Sequence, residues 1–259
     1  MVMKKKEKQD TLFVASLEKG LRVMAVFGED HTELGLHEIA TLSGLDKSAC
    51  QRFANTLHKL GYLSKDPETR RYRPTIRYLE LGSAYLWADP LVQLALPKLI
   101  ELSHELGERV NCARLVGEDI VYITRIPTQM TNFGATVLGR RLPALNTASG
   151  RAIVSALPLE ERRIAAETWP IVCATSRTIT DRTVLAEALE RAAGDGYAIT
   201  ESQNLMNEIA VAAPIYDRSG RPVAAVQCST SSLKMSEERV RAEYALAIIE
   251  VANSIQPPR

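Results

Sequence analysis

The chain has little with which to do covalent or metal chemistry. Four cysteines, Cys50, Cys112, Cys173 and Cys228, are scattered through 259 residues without a Cys-x-x-Cys spacing. That argues against a disulfide framework and a zinc site, and leaves buried free thiols as the expectation. The four histidines, His31, His37, His58 and His104, all lie in the first 104 residues, so a histidine-based centre later in the chain would have to borrow across domains. There is no Gly-x-Ser-x-Gly elbow, no phosphate-cradling glycine loop and no dinucleotide fingerprint. His104-Glu105-Leu106-Gly107-Glu108 begins as a zinc-protease helix does, but Glu108 stands where the second histidine would be. No enzyme activity, cofactor or metal is expected. No apolar run approaches the roughly 20 residues that span a bilayer. The start, Met1 to Asp10, is basic and polar with no apolar core. Neither a membrane span nor a signal peptide is expected, which implies a cytoplasmic location.

Charge of one sign is also lacking overall, at a net +1, but it is unevenly spread. Residues 1–75 hold 13 Lys and Arg against 10 Asp and Glu, and the remainder holds 19 against 21. That sign suits a nucleic-acid module followed by a near-neutral domain. A length of 259 residues with 46% hydrophobic and 24% charged residues allows two cores.

Within the basic part, Leu36 to Ala40 reads as a short helix, Ser43-Gly44 as a tight turn, and Lys47 to Leu60 as a second helix capped by Asp46. Ala49, Phe53, Leu57 and Leu60 recur at helical spacing and predict its buried stripe. Lys47, Ser48, Gln51, Arg52 and Asn55 share a second, polar face. Such a face is either plain solvated surface or a major-groove reader, since forked donors and amides match base edges. The basic hairpin that follows favours the reader. Tyr62 to Lys65 and Arg70 to Pro74 flank an Asp66-Pro67 turn, and Lys65, Arg70, Arg71 and Arg73 extend the positive face toward phosphates or the minor groove. A helix from an N-cap at Ser16 comes before this pair, and a basic tail, residues 1–10, whose Lys4-Lys5-Lys6-Glu7-Lys8 run has no apolar content, precedes it and is expected to be disordered. Together residues 11–75 predict a winged helix–turn–helix that binds double-stranded DNA.

Residues 76–108 then read as a linker helix to about Trp87, a break at Asp89-Pro90 and a further helix to Gly107, with Pro90 and Pro97 preventing one straight helix. Its long apolar stripe needs a partner, either the next domain or a second copy. From 109 to 259 the pattern is α+β with a mainly antiparallel sheet. Strands are expected at Val110–Val116 and Asp119–Ile126 around Gly117-Glu118, then at Gly196–Ile199, Ile209–Ile215 and Arg221–Ser229. Helices are expected at Thr147–Ala156, Leu159–Thr168, Asp181–Ala193 and Glu237–Ile255, and a loop with Gln129, Met130, Asn132 and Phe133 at Pro127–Gly134. Ala225, Gln227 and Ser229 share one strand face by period two, the mix of few polar groups among apolar ones that a small-molecule pocket needs. Arg114 interrupts an apolar face. It could clamp a ligand carboxylate bidentately, or pair with an acidic neighbour such as Glu118 or Asp119.

The order and spacing of several blocks resemble the IclR family of bacterial transcriptional regulators over nearly the whole length. They are Ser16 to Leu21, Gly44-Leu45-Asp46-Lys47-Ser48, Gly61-Tyr62-Leu63, Leu79-Glu80-Leu81-Gly82, Gly139 to Pro143, Thr147 to Ala152, Gly196-Tyr197-Ala198 and Ala212 to Ile215. The resemblance implies a C-terminal GAF-like domain that binds a small effector, and dimers that commonly pair into tetramers. It points to Ala148, Ser149, Thr200, Ala210, Gln227 and Ser229 as effector-binding. The Phe13–Leu17, Leu81–Leu86 and Asp119–Ile123 stretches further resemble the subgroup answering to hydroxybenzoates, protocatechuate and related acids, which implies an aromatic carboxylate. Two departures stand out. Ser202-Gln203 replaces the family's acidic pair, with Asn207 at a following glycine, and Pro143-Ala144-Leu145 replaces Pro-Leu-His. The competing classes are an enzyme with a fused DNA-binding domain and an architectural DNA-binding protein without a ligand.

Overall fold

The computed structural model describes residues 12–128 and 136–255. The basic tail and Gln129, Met130, Asn132 and Phe133 lie outside them. The chain forms two compact units, residues 1–84 and 85–259.

The first unit begins with α1 (Ala15–Ala25), α2 (Leu36–Ser43) and α3 (Lys47–Lys59). Val14, not Ser16, is the N-cap of α1, and no side chain caps it. Gly44 takes φ 65° at the C-cap of α2, the left-handed conformation that turns the chain into α3. Asp46 caps α3, accepting from the Ala49 N–H at 2.8 Å. The buried side of α3 is Cys50, Ala54 and Leu57; of the expected stripe Leu57 is buried, Ala49 and Phe53 are half-buried and Leu60 is 54% exposed. The small Cys50 and Ala54 join Leu57 on this side because they allow close approach of the neighbouring helices, Cys50 Sγ lying 3.8 Å from the Leu36 carbonyl. The strands β1 (Leu63–Lys65) and β2 (Tyr72–Pro74) pair antiparallel, and Leu34 bridges to Tyr72 on the other side. Asp66 Oδ1 accepts from the Glu68 and Thr69 N–H groups at 2.9 and 2.7 Å, closing the turn.

Helix α4 (Arg77–Ala88) leads out of this unit, and α5 (Pro90–Leu106) follows a break at Asp89, which caps α5. Pro97 does not interrupt α5. Burial of Leu91, Val92, Ala95, Leu99 and Leu102, at roughly 1.5–3 kcal/mol for each large side chain, outweighs the about 3 kcal/mol cost of an internal proline.

The second unit adds β3 (Arg109–Val116), β4 (Asp119–Ile126), β5 (Arg141–Pro143), α6 (Ala148–Ser155), α7 (Leu159–Thr168), α8 (Arg182–Asp195), β6 (Ala198–Glu201), β7 (Glu208–Tyr216), β8 (Pro222–Ser231) and α9 (Glu237–Ser254). The six strands form one sheet in the order β5-β4-β3-β8-β7-β6, antiparallel at every described pairing. The fold is α+β. β5 is a short edge strand that the sequence reading missed, and it ends at Pro143, which cannot donate to a ladder. One sheet face packs on α5 and α9 around Val110, Cys112, Val211, Val226 and Cys228. The other packs on α6, α7 and α8 around Ala113, Ile120, Ala210, Ala212 and Ala225. The small side chains on this second face let α6 approach closely. Gly150 sits against the turn that precedes α6, where a Cβ would stand 2.1 Å from the Ala144 carbonyl oxygen. Cys173 is exposed, against the expectation of four buried thiols; the other three are buried. No described helix is long and apolar enough to cross a membrane, and no group of metal-ligating side chains occurs among the described residues.

Candidate functional sites

In the first unit the burial of Cys50, Ala54 and Leu57 leaves Lys47, Ser48, Gln51, Arg52 and Asn55 all exposed on the opposite side of α3. Among the described residues none of these side chains has a hydrogen bond or ion pair, so their donors and acceptors are free to meet base edges. The wing differs from the expectation. Arg71 Nη2 lies 2.7 Å from Glu38 Oε2 and donates to the Glu33 carbonyl at 2.9 Å. Arg73 Nε donates to Glu33 Oε2 at 2.6 Å. The Gly35 N–H and Arg71 together hold the Glu38 carboxyl below its usual range. Arg71 and Arg73 therefore anchor the wing to α2 and the segment ahead of it, with their charges already neutralised. Lys65 stands 5.2 Å from the Tyr72 ring. Arg70 is exposed, in the left-handed region at φ 59°, with no ion pair among the described residues.

In the second unit six of the seven expected ligand-pocket residues come together. Ala148, Ser149, Thr200, Ala210, Gln227 and Ser229 are all buried. Ser229 lies opposite Ala210, which lies opposite Thr200, so the three share the α6 face. Thr147 caps α6 through the Gly150 N–H. The start of α6 then meets the sheet, where Ser149 donates to Gln227 Oε1 from its N–H at 3.2 Å and its hydroxyl at 2.7 Å. Gln227 Nε2 donates onward to Ser229 Oγ at 2.9 Å. Gln227 is thus committed to tying α6 to β8.

Arg114 is the exception. In register with Ala224, it belongs to the α5 face, away from Gln227. Its partner is neither Glu118 nor Asp119. It donates to Asp89 Oδ1 at 2.9 Å, while Asp119 takes Arg141 at 3.0 Å. Asp89 also accepts from the Leu91 N–H at 2.9 Å and from the Tyr85 hydroxyl. Burial opposes ionisation of Asp89, but these donors outweigh it and hold its carboxyl below the usual range. The residue that ends the linker helix region is thereby fastened to β3.

Sequence reasoning also missed a polar strip at the β3–β4 end of the α6 face. Arg109 pairs with Glu208, the two side chains 14% and 18% exposed. Asn111, fully buried, lies opposite both Gln227 and Arg125. Arg125 Nε donates to Asn111 Oδ1 at 3.2 Å, and its guanidinium lies 4.1 Å from the Tyr122 ring centroid. Burial lowers the Arg125 guanidinium to about 10, and burial with the nearby Glu208 charge raises the Tyr122 phenol. The signal available in sequence was the alternation of Arg109 and Asn111 with apolar Val110 and Cys112.

At the departure from the family pattern, Gln203 accepts from Arg151 at 3.0 Å and from the Ile179 N–H at 2.8 Å. It donates to the Arg177 and Glu201 carbonyls at 2.8 and 3.1 Å, so a neutral amide organises this loop. Asn207 takes φ 59°, the conformation expected of a glycine substitute.

Residues 16–67 match the sequence profile of the IclR helix-turn-helix domain, and residues 83–257 that of the bacterial transcriptional regulator IclR C-terminal domain. The Escherichia coli regulator XynR is 30% identical, covering 86% of this chain and 89% of its own length. The Pca regulon regulatory protein of Pseudomonas putida is 30% identical over 95% of this chain and 84% of itself. The p-hydroxybenzoate hydroxylase transcriptional activator of Acinetobacter baylyi is 28% identical over 90% and 86%. Among solved structures, a candidate transcriptional regulator from Rhodococcus sp. RHA1 superposes with a TM-score of 0.81 at 33% identity, covering 94% of this chain and 97% of its own.

Proposed function

Because this chain belongs to the IclR family of bacterial transcriptional regulators, we propose that it reads operator DNA through α3 and that a small aromatic carboxylate sets its operator affinity. The observation that carries the reading is the pairing of two surfaces. Five polar side chains without a partner among the described residues stand on one face of α3, and a separate domain holds a buried polar row under the start of α6. An architectural protein has no use for the second, and the family's named regulators are not enzymes.

Lys47, Ser48, Gln51, Arg52 and Asn55 choose the sequence, Arg and Gln through bidentate contacts to guanine and adenine. Arg70 and Lys65 take phosphates, while Arg71 and Arg73 hold the wing and turn to phosphates only by sharing Glu33 and Glu38. Ala148, Ser149, Thr200, Ala210, Gln227 and Ser229 line or support the effector pocket. The relatives named for the Pca regulon and for p-hydroxybenzoate hydroxylase support an aromatic acid.

The protein works as a dimer, and dimers pair into tetramers. Phe13, Leu17 and Leu21 on the α1 side are 62%, 62% and 56% exposed, and Leu79 and Trp87 on the linker are 65% and 80% exposed, apolar area that a second copy would cover. Selection of bound duplexes from a random pool tests the reading. The expected result is an inverted repeat with half-sites roughly one helical turn, about 10 base pairs, or a multiple apart. Recovery of no consensus would refute it.

A further inference from the structure

We propose that Arg109, Asn111 and Arg125 form an anion seat for the carboxylate of a monoanionic effector, beside the row that joins Gln227 to α6. The inference rests on the sensor reading above and assigns residues that reading did not include.

Three N–H groups carry it. Arg109 Nε, Asn111 Nδ2 and Arg125 Nη1 are buried, and none has a hydrogen-bond partner among the described residues. Buried polar groups are almost always paired, so three orphans in one strip ask for an acceptor. Their orientation is fixed. Arg125 Nε donates to Asn111 Oδ1, so the amide cannot flip without setting N–H against N–H, and Nδ2 must face elsewhere. In register, Asn111 lies directly opposite Gln227, and Arg109 opposite Ser229, so the orphans share the sheet face with the effector-pocket residues.

Charge selects the ligand. Arg109 and Arg125 bring two positive charges, and Glu208 returns one through its ion pair with Arg109. Among the described residues Arg125 has no ion pair: its contacts are the neutral Asn111 amide and the Tyr122 ring face, and the Glu208 charge, already paired with Arg109, reaches it only at a distance. Arg140 adds a further positive influence near Arg125. Water would satisfy an amide, but it would not offset a buried guanidinium. A carboxylate offers two oxygens and about four acceptor sites, enough for all three donors. Glu208 acts as the resident carboxylate, holding the half of the strip nearest β7.

The test uses the full-length protein with acetate and benzoate as probes, their amides and inorganic phosphate as controls, and thermal shift as the readout. The carboxylates should stabilise the protein while acetamide and benzamide do not. Arg125→Gln should weaken the apparent affinity by at least about tenfold, the scale of a lost charge-assisted hydrogen bond. Glu208→Gln should strengthen it, because Arg109 is released to the ligand. A residue with a merely structural role would not move affinity in opposite directions in these two variants. Arg125→Lys, which keeps the charge and loses the fork, should fall between, and it carries the test with Glu208→Gln if Arg125→Gln does not melt cooperatively. No stabilisation by either carboxylate, equal stabilisation by amides or phosphate, or weaker binding in Glu208→Gln would overturn the seat. Carboxylate binding that leaves operator affinity unchanged would instead refute the sensor reading and leave the seat standing.

Discussion

Asp89→Asn removes one negative charge at the junction between the linker and the effector domain and leaves the shape intact. Asparagine still caps α5, and its Oδ1 can still accept from the Leu91 N–H and Arg114, so the loss falls on the charge attraction to Arg114 and on the Oδ2 acceptor of the Tyr85 hydroxyl. The Asp89 side chain is 5% exposed and that of Arg114 is 32% exposed. Breaking a fully buried pair costs about 3–5 kcal/mol, and an exposed pair is worth about 0–1 kcal/mol. A pair buried on one side and a third open on the other should lie between, near 2 kcal/mol. In a unit of this size that corresponds to roughly 4–8 °C in Tm. The sign of the pH dependence follows from the direction of the shift. Asp89 ionises more readily folded than unfolded, so its contribution is present above its unfolded pKa of about 3.9 and disappears as pH falls through the lower folded value. Urea unfolding of the wild type, Asp89→Asn, Arg114→Gln and the double variant at pH 7 gives the coupling energy directly. A coupling below about 0.5 kcal/mol would refute the idea that this pair fastens β3 to the linker.

Three other outcomes are expected. Gly150→Ala should destabilise the protein by on the order of 3 kcal/mol, because the new Cβ overlaps the Ala144 backbone and neither α6 nor the turn beneath it can yield cheaply; a Tm within 2 °C of wild type (about 1 kcal/mol or less) would contradict it. A thiol reagent should titrate Cys173 alone in the native protein and all four thiols in denaturant, since Cys50, Cys112 and Cys228 are buried and burial pushes the Cys112 thiol up to about 12; a second fast thiol would show an opening that the packing does not allow. Arg52→Ala should cost roughly 1–3 kcal/mol on the selected operator and little on random DNA, while Arg70→Ala should weaken both and flatten the salt dependence. Equal losses for Arg52→Ala on the two DNAs would move it from base edge to phosphate.

The caps and periodicities made most of the chain legible. Asp46, Thr147 and Asp181 cap the helices they were expected to start, or stand one residue before them, and the Asp89-Pro90 break falls as expected. These signals are local, and local chemistry decides them. What stayed hidden depends on long-range partners. Period two put Arg114 on an apolar face correctly, but nothing in sequence tied it to Asp89, 25 residues earlier. The wing arginines read as free cations because Glu33 and Glu38 lie on a different element. The anion strip was concealed by a bulge. From Val116↔Asp119 to Ala113↔Tyr122 the β3–β4 register is regular, and then one extra residue enters at Cys112/Ala113. Without it Thr124 would face Asn111; with it Arg125 does, and Tyr122 and Arg125 share a face. A one-residue slip exchanges every side chain beyond it between faces, which no alternation count can foresee.

Control of α3 by the second unit is what makes this protein a regulated DNA binder in the reading proposed above. Its most direct test is the equilibrium affinity of the full-length protein for its selected operator, measured by fluorescence anisotropy with and without 4-hydroxybenzoate or protocatechuate at concentrations where calorimetry shows the site filled. Kd should change by about fivefold or more, the lower end of ordinary allosteric coupling. A filled site with an unchanged operator Kd would contradict it.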